Sequence, residues 1–249
     1  MAEIFSEEPG RIAILGGTGP EGSGLGLRWA RAGLEVIIGS RDAARAKQAA
    51  AAIRKRVGPD ARLQGLENAA AAGAADTVVL TVPFAGQLAA LAAVHDAMRP
   101  GQVLVDVTVP LAAAVGGRAT QLLGVWQGSA AQAAASAVPA GVAVVAAFHH
   151  VSAAHLEHLD EAVECDVLVC GDRAPAKARV RRLVEAIDGC RYVDAGPLAN
   201  ARIVESVTAL LIGLNIRHHV PGAGIRVTGV PLSEVQGSTF KVQRSRGAR

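Results

Sequence analysis

Short apolar runs rich in β-branched residues recur along the chain at 12–15, 36–38, 77–82, 103–109, 142–148 and 167–170. The stretches between them are rich in alanine and long enough to carry a helix back across a sheet. That alternation predicts a parallel sheet wrapped by helices. The runs are apolar at nearly every position rather than at every second one, as expected of strands buried on both faces. Helix candidates fall at 43–56, 86–97, 177–187 and 202–217. Alanine has the best helix propensity, and its small side chain lets helices lie close to a sheet. From residue 231 onward the pattern loses periodicity, so 231–249 reads as a flexible basic tail.

Composition sharpens this picture. The chain is 51% hydrophobic with a mean hydropathy of +0.31, but 51 of its 249 residues are alanine, which leaves an ordinary core of larger side chains. Residues 119–156 carry no Asp, Glu, Lys or Arg, yet Gln121, Gln127, Ser129, Gln132, Ser136 and Pro139 interrupt them. A membrane span needs about 20 mostly apolar residues, so no membrane partner is expected. Glu3, Glu7 and Glu8 stand where a secretory signal would be basic and then apolar, which points to a cytoplasmic protein.

The net charge is +3, but Lys241, Arg244, Arg246 and Arg249 lie beyond Gln236 without a single acid, so the body is near neutral. Only 3% of residues are aromatic. A nucleic-acid partner would need basic clusters on the body with aromatics among them, and is not expected. Three cysteines do not suggest a disulfide framework. Cys165 and Cys170 flank a strand-like run, and their odd separation sends them to opposite faces, away from a shared metal.

The strongest local signal is Ile12-Ala13-Ile14-Leu15-Gly16-Gly17-Thr18-Gly19-Pro20-Glu21-Gly22. Gly17, Gly19 and Gly22 satisfy G-x-G-x-x-G directly after a strand. Such glycines permit a tight turn and close approach of backbone N–H groups to a pyrophosphate, which sits on the positive end of the next helix. Pro20 fits a first helical turn, where a missing N–H costs nothing. A glycine-rich turn without a ligand would read similarly, but the flanking strand and helix and the second strand at 36–38 favour a dinucleotide.

The end of that second strand decides which dinucleotide. A ribose 2′-hydroxyl is usually held by Asp or Glu, whereas a 2′-phosphate repels carboxylates and favours Arg and hydroxyl donors. Here Gly39-Ser40-Arg41 is followed by Arg45 one turn later, which favours NADP(H).

A wider set of motifs then becomes informative: Gly16-Gly17-Thr18-Gly19-x-x-Gly22-x-Gly24-Leu25, Gly39-Ser40-Arg41, Thr81-Val82-Pro83-Phe84, Phe148-His149-x-x-Ser152-Ala153, Asp166-Val167-Leu168-Val169-Cys170-Gly171-Asp172 and Asp194-Ala195-Gly196-Pro197-Leu198-x-Asn200-x-Arg202. In this order they resemble the NADPH-dependent coenzyme F420 reductases, across about residues 11 to 225. The resemblance implies a Rossmann-type doubly wound parallel sheet with a smaller C-terminal portion, and hydride transfer between NADP(H) and the deazaflavin coenzyme F420 as co-substrate. It implies that Thr18, Ser40, Arg41 and Arg45 hold the adenosine 2′-phosphate and that Pro83, with Val82, lines the nicotinamide pocket. It also implies that the deazaflavin lies against the loops around Val109-Pro110 and His149–Ala153, with Ser152 among its contacts. The chain departs from the family at Phe84, commonly Trp or Tyr, at Gln132, commonly Glu, and in continuing past Arg226.

Direct hydride transfer needs two rings at about 3–3.5 Å with water excluded, and neither a nucleophile nor a metal. The visible titratable cluster is His149, His150, His155 and His158. His149, at a strand end, is the candidate to position the acceptor or donate to its oxyanion; a surface histidine cluster is the plainer alternative. The expected division is 1–148 for the NADP-binding Rossmann domain, 149–230 for a smaller acceptor-binding and dimerisation portion, and 231–249 for the tail. The helix at 202–217 is the candidate homodimer surface. A reductase of another acceptor, such as a flavin or a small carbonyl or imine, and a non-catalytic NADP(H) sensor remain open alternatives.

Overall fold

The computed structural model describes residues 5–230, so the predicted tail at 231–249 lies outside the described residues. Among the described residues one sheet has the strand order β3-β2-β1-β4-β5-β6-β7-β8. Its strands are β1 (Ile12–Leu15), β2 (Val36–Ser40), β3 (Leu63–Glu67), β4 (Thr77–Leu80), β5 (Val103–Asp106), β6 (Ala143–Ala146), β7 (Cys165–Gly171) and β8 (Cys190–Asp194). The first six run parallel in the order of a Rossmann sheet, with the switch point between β1 and β4. The helices are α1 (Pro20–Arg31), α2 (Ala43–Val57), α3 (Asn68–Ala74), α4 (Gln87–Val94), α5 (Ala130–Ala137), α6 (Ala153–Glu157), α7 (Ala174–Glu185) and α8 (Ala201–His218).

The sheet separates two apolar layers. On one face Leu25, Leu27 and Trp29 of α1, Ile53 of α2 and Val180, Leu183 and Val184 of α7 pack on Ile14, Ile38, Val105 and Val145. On the other, Ala71 of α3, Leu91 of α4, Ala131 and Ala134 of α5 and Val204 of α8 pack on Leu15, Val78 and Leu104. Cys165 belongs to the first layer and Cys170 to the second, as their odd spacing predicts.

Several elements differ from the sequence expectation. The strands β3 and β8 were not expected; Leu63–Glu67 and Cys190–Asp194 mix polar and apolar residues, as sheet margins tolerate. The apolar runs at 77–82, 103–109 and 142–148 overrun their ladders, which stop at Leu80, Asp106 and Ala146. The helix expected at 86–97 is α4 between two 3-10 turns, Phe84–Gly86 and His95–Ala97. β7 pairs antiparallel with β6, and β8 parallel with β7, so the last pair reverses the sheet direction. A five-residue helix spans only about 7 Å, so α6 is too short for a full crossover back to the starting edge. Residues 149–230 therefore extend the sheet of residues 1–148.

The segment Leu198–His218 is, by length and composition, long and apolar enough to cross a membrane. Here it packs against α5, with Val204, Glu205, Ala209 and Leu211 buried.

Candidate nucleotide and acceptor site

The C-terminal ends of β1, β2, β4, β5 and β6 share one edge of the sheet, and the residues singled out from sequence gather along it. Gly16 turns the chain out of β1 with φ +82°, a conformation that favours glycine. The Gly17 N–H then donates back to the Ile14 and Gly39 carbonyls, at 3.2 and 3.1 Å. Gly22 opens α1 against the sheet: a Cβ there would lie 2.5 Å from the Thr81 hydroxyl and 2.8 Å from the Gly17 Cα. At Gly19 the nearest atom to such a Cβ is the Gly16 oxygen at 3.4 Å, so that side of the turn is open. The opening N–H groups of α1 have no partners within the helix, and the helix dipole makes the turn a seat for a phosphate.

At the end of β2, Ser40 is buried and its hydroxyl accepts from the Asp42 N–H at 3.3 Å. The Asp42 carboxylate caps α2, accepting from the Ala44 N–H at 2.8 Å. The acid nearest the ribose position is thereby turned onto a helix end. Arg41 and Arg45 are both exposed, and Thr18 of the glycine turn is half-buried. Val82 is half-buried and Pro83 exposed just past β4.

On the acceptor side the backbone carries strain. Phe148 has φ +65°, unusual for a bulky residue, and its ring meets Trp29 of α1 edge-on. His149 follows, fully enclosed, with neither ring nitrogen hydrogen-bonded. Burial, helped by the neighbouring His150, drives its imidazole down to about 3, so it is neutral. Its carbonyl accepts from the Thr208 hydroxyl of α8 at 2.8 Å. His150 instead donates through Nε2 to the Asp166 carbonyl at 2.7 Å, which is a structural role. His155 donates through Nε2 to the Gly222 carbonyl at 2.7 Å. Ser152 and Ala153 are half-buried, and Gly222 passes so close over Ser152 that a Cβ there would lie within 2.2 Å of its hydroxyl.

Sequence reasoning overlooked a supporting set. Arg28 of α1 is buried and donates to the carbonyls of Leu156 (2.9 Å), His155 (2.7 Å) and His158 (2.6 Å), clamping the 149–158 segment to the nucleotide helix. Its signal was a lone cation directly after the apolar, glycine-marked run Gly24-Leu25-Gly26-Leu27. Three residues before half-buried Val109, the buried Asp106 carboxylate accepts from the Thr108 N–H (2.8 Å) and from Gln87 Nε2 (2.6 Å). Glu205 of α8 caps α5, accepting from the N–H groups of Ala130 and Ala131 at 2.9 and 3.0 Å. Burial raises both acids, Asp106 to about 6 and Glu205 to about 7.

A glycine turn at the switch point, a cationic end to β2 and an enclosed, unpartnered histidine after a strained backbone fit a Rossmann-type nucleotide-dependent oxidoreductase. Comparison with known proteins narrows the class. The profile of the family described as NADP oxidoreductase, coenzyme F420-dependent, matches residues 11–110. An F420-dependent NADP reductase of Methanothermobacter thermautotrophicus is 47% identical over 226 residues, 90% of this chain and 97% of that protein. The F420-dependent NADP reductase of Methanocaldococcus jannaschii is 42% identical over 225 residues, 89% of this chain and 100% of that protein. Among solved structures, a protein of Arthrobacter sp. FB24 described as an F420-dependent NADP-reductase superposes with a TM-score of 0.73 at 26% identity, covering 88% of this chain and 99% of that one. The imine reductase of Bacillus cereus shares the fold alone, at a TM-score of 0.55 and 16% identity over 84% of this chain and 63% of that one. The chain belongs to the F420-dependent NADP oxidoreductase family.

Proposed function

We propose that this enzyme moves a hydride between NADP(H) and coenzyme F420 along the C-terminal edge of the sheet, and that the residues above divide the two partners between them. NADP(H) supplies or receives the hydride at its nicotinamide ring, and the deazaflavin is the other partner. The residues suit both. Gly17, Gly19 and Gly22 shape the turn that takes the pyrophosphate, and Thr18, Ser40, Arg41 and Arg45 bind the 2′-phosphate. The observation that carries the NADP reading is the charge pattern there: two exposed arginines, with the only acid between them committed to the cap of α2. Val82 and Pro83 border the nicotinamide.

Val109, His149, Ser152 and Ala153 form the acceptor side. Neutral His149, buried with two unpartnered nitrogens, orients the acceptor through an N–H hydrogen bond and helps keep water from the ring contact. No side chain need form a covalent bond to either partner. In this reading residues 1–148 hold NADP and 149–230 supply the acceptor side and subunit contacts. A homodimer is supported by Ile203 and Leu210, exposed two turns apart on α8. The near-neutral body gives no footing for nucleic acid, and three free buried thiols suit the reducing cytoplasm.

The test mixes protein, NADPH and oxidised F420 and follows loss of deazaflavin absorbance. Turnover is expected, with His149→Ala raising the KM for F420 while leaving NADPH binding within about twofold. Turnover with a flavin but not with F420 would overturn the assignment.

A further inference from the structure

Glu21 lies in the first turn of α1, where a glutamate is normally solvated and charged. Here one of its carboxyl oxygens, Oε1, is buried and has no hydrogen-bond partner. A buried oxygen without a partner is costly, so it calls for a use.

Helix geometry says what this side chain faces. At 100° per residue, Glu21, Gly24 and Arg28 form one stripe of α1. The other two members are located by their contacts. Gly24 is pressed against Leu156, to which a Cβ would come within 2.7 Å, and Arg28 binds the carbonyls of 155, 156 and 158. The stripe therefore lies along α6, and its Arg28 end meets the C-terminal end of α6. Glu21, one turn nearer the start of α1, falls beside the start of α6, where Ser152 and Ala153 stand. Side chains on a helix lean toward its N-terminus, so the Glu21 carboxyl leans toward the glycine turn. Helix geometry thus points it to the seam between the glycine turn and the 149–153 segment.

We propose that Glu21 is an acceptor-binding residue, whose carboxyl O–H donates a hydrogen bond to the deazaflavin lying between α1 and the 149–153 segment. This rests on the placement of the acceptor given above. Burial supports it by raising the Glu21 carboxyl to about 8, so that at neutral pH it is an acid with a proton to give. The ionisable side chains on the elements packed there are His149, His150, His155 and Arg28, with Arg31 and Glu157 exposed at the far ends of α1 and α6. Burial keeps His149 and lowers His150 toward the neutral form, His155 is bonded to Gly222, and Arg28 is bonded to three carbonyls. None of them forms an ion pair with Glu21. A neutral acid also spares the adjoining pyrophosphate a like charge, which an ionised glutamate would impose.

Glu21→Gln keeps the size and a donor but cannot ionise, and Glu21→Leu removes the donor. At pH 7, Glu21→Leu is expected to raise the KM for F420 at least tenfold while the Kd for NADPH, read by fluorescence without acceptor, stays within twofold. Glu21→Gln is expected to keep the KM within about threefold and to abolish the decline in F420 binding between pH 7 and 9. Independently of turnover, carboxyl 13C NMR of the whole protein should show one resonance, missing in Glu21→Gln, that titrates near pH 8 and shifts when F420 is added. An unchanged KM in Glu21→Leu, or a resonance indifferent to F420, overturns the inference. If His149→Ala and Ser152→Ala also leave the KM unchanged, the acceptor placement itself falls; if they raise it and Glu21→Leu does not, only the role of Glu21 falls. Should Glu21→Leu fail to fold, the Glu21→Gln profile and the resonance decide.

Discussion

The rings of Trp29 and Phe148 meet edge-on, with centroids 5.6 Å apart and planes inclined by 77°. Trp29 belongs to the helix that follows the glycine turn, and its indole N–H donates to the Leu183 carbonyl of α7 at 2.9 Å. The contact pins a left-handed backbone, φ +65° at Phe148, directly before His149. The strain at the acceptor side is thus held by packing from the nucleotide side.

Two substitutions separate packing from backbone strain. Phe148→Ala should destabilise the protein by about 3 kcal/mol or more through the emptied ring site. Phe148→Gly empties the same site but relieves the left-handed backbone, so it should be about 1 kcal/mol more stable than Phe148→Ala. Urea denaturation of both measures this; equal stability would mean that the backbone at 148 is not held left-handed.

Arg41→Ala should weaken NADPH binding about tenfold or more, the worth of a charge-assisted hydrogen bond of about 1.5–3 kcal/mol, and leave NADH binding nearly unchanged. Calorimetric titration with both nucleotides checks it. Equal losses would show that Arg41 does not touch the 2′-phosphate.

Arg28→Met should cost on the order of 3 kcal/mol, because three partly or fully buried carbonyls lose their donor. Arg28→Lys, which keeps three donors on one nitrogen, should recover part of that. Since α6 is released while the glycine turn is not, the KM for F420 should rise more than the Kd for NADPH. Parallel rises in both would mean that the clamp orders α1 rather than the acceptor segment.

Stability should be greatest in mildly acidic solution. Glu21, Glu205 and Asp106 are raised to about 8, 7 and 6, so the folded chain holds protons that the unfolded one releases from about pH 4.5, and their stabilisation is lost as pH rises from there to about 8. His149, held down to about 3, and His150, also lowered, act the other way below about pH 6.5, where the unfolded chain binds the extra protons. The two effects offset each other below about pH 6.5, and above it the loss from the acids is unopposed. Urea midpoints across pH 5 to 8.5 should therefore change little up to about 6.5 and fall beyond it, and Glu21→Gln should lessen that fall.

The nucleotide half was legible because its signals are local. A strand, a glycine turn and a following helix are consecutive in sequence, and the chemistry of residues 40, 41 and 45 is set by two strand ends. The overruns at 77–82, 103–109 and 142–148 have one cause: Val82, Val107 and Phe148 are as apolar as strand residues because they pack on the core, though they lie past the ends of the strands. Hydropathy records burial and is blind to the ladder. Arg28, Asp106 and Glu205 were missed because their partners lie far off in the chain, at 155–158, 87 and 130–131. Reversal of β7 was hidden likewise, since it follows from a helix of five residues that composition does not delimit.

Arg28 spends its hydrogen bonds on carbonyls and is largely withdrawn from solvent, while Arg41 and Arg45 lie open to it. Mobile ions screen the exposed pair and barely reach the buried one. The joint at Arg28 is thus less sensitive to ionic strength than the hold on the nucleotide, which slackens as salt rises.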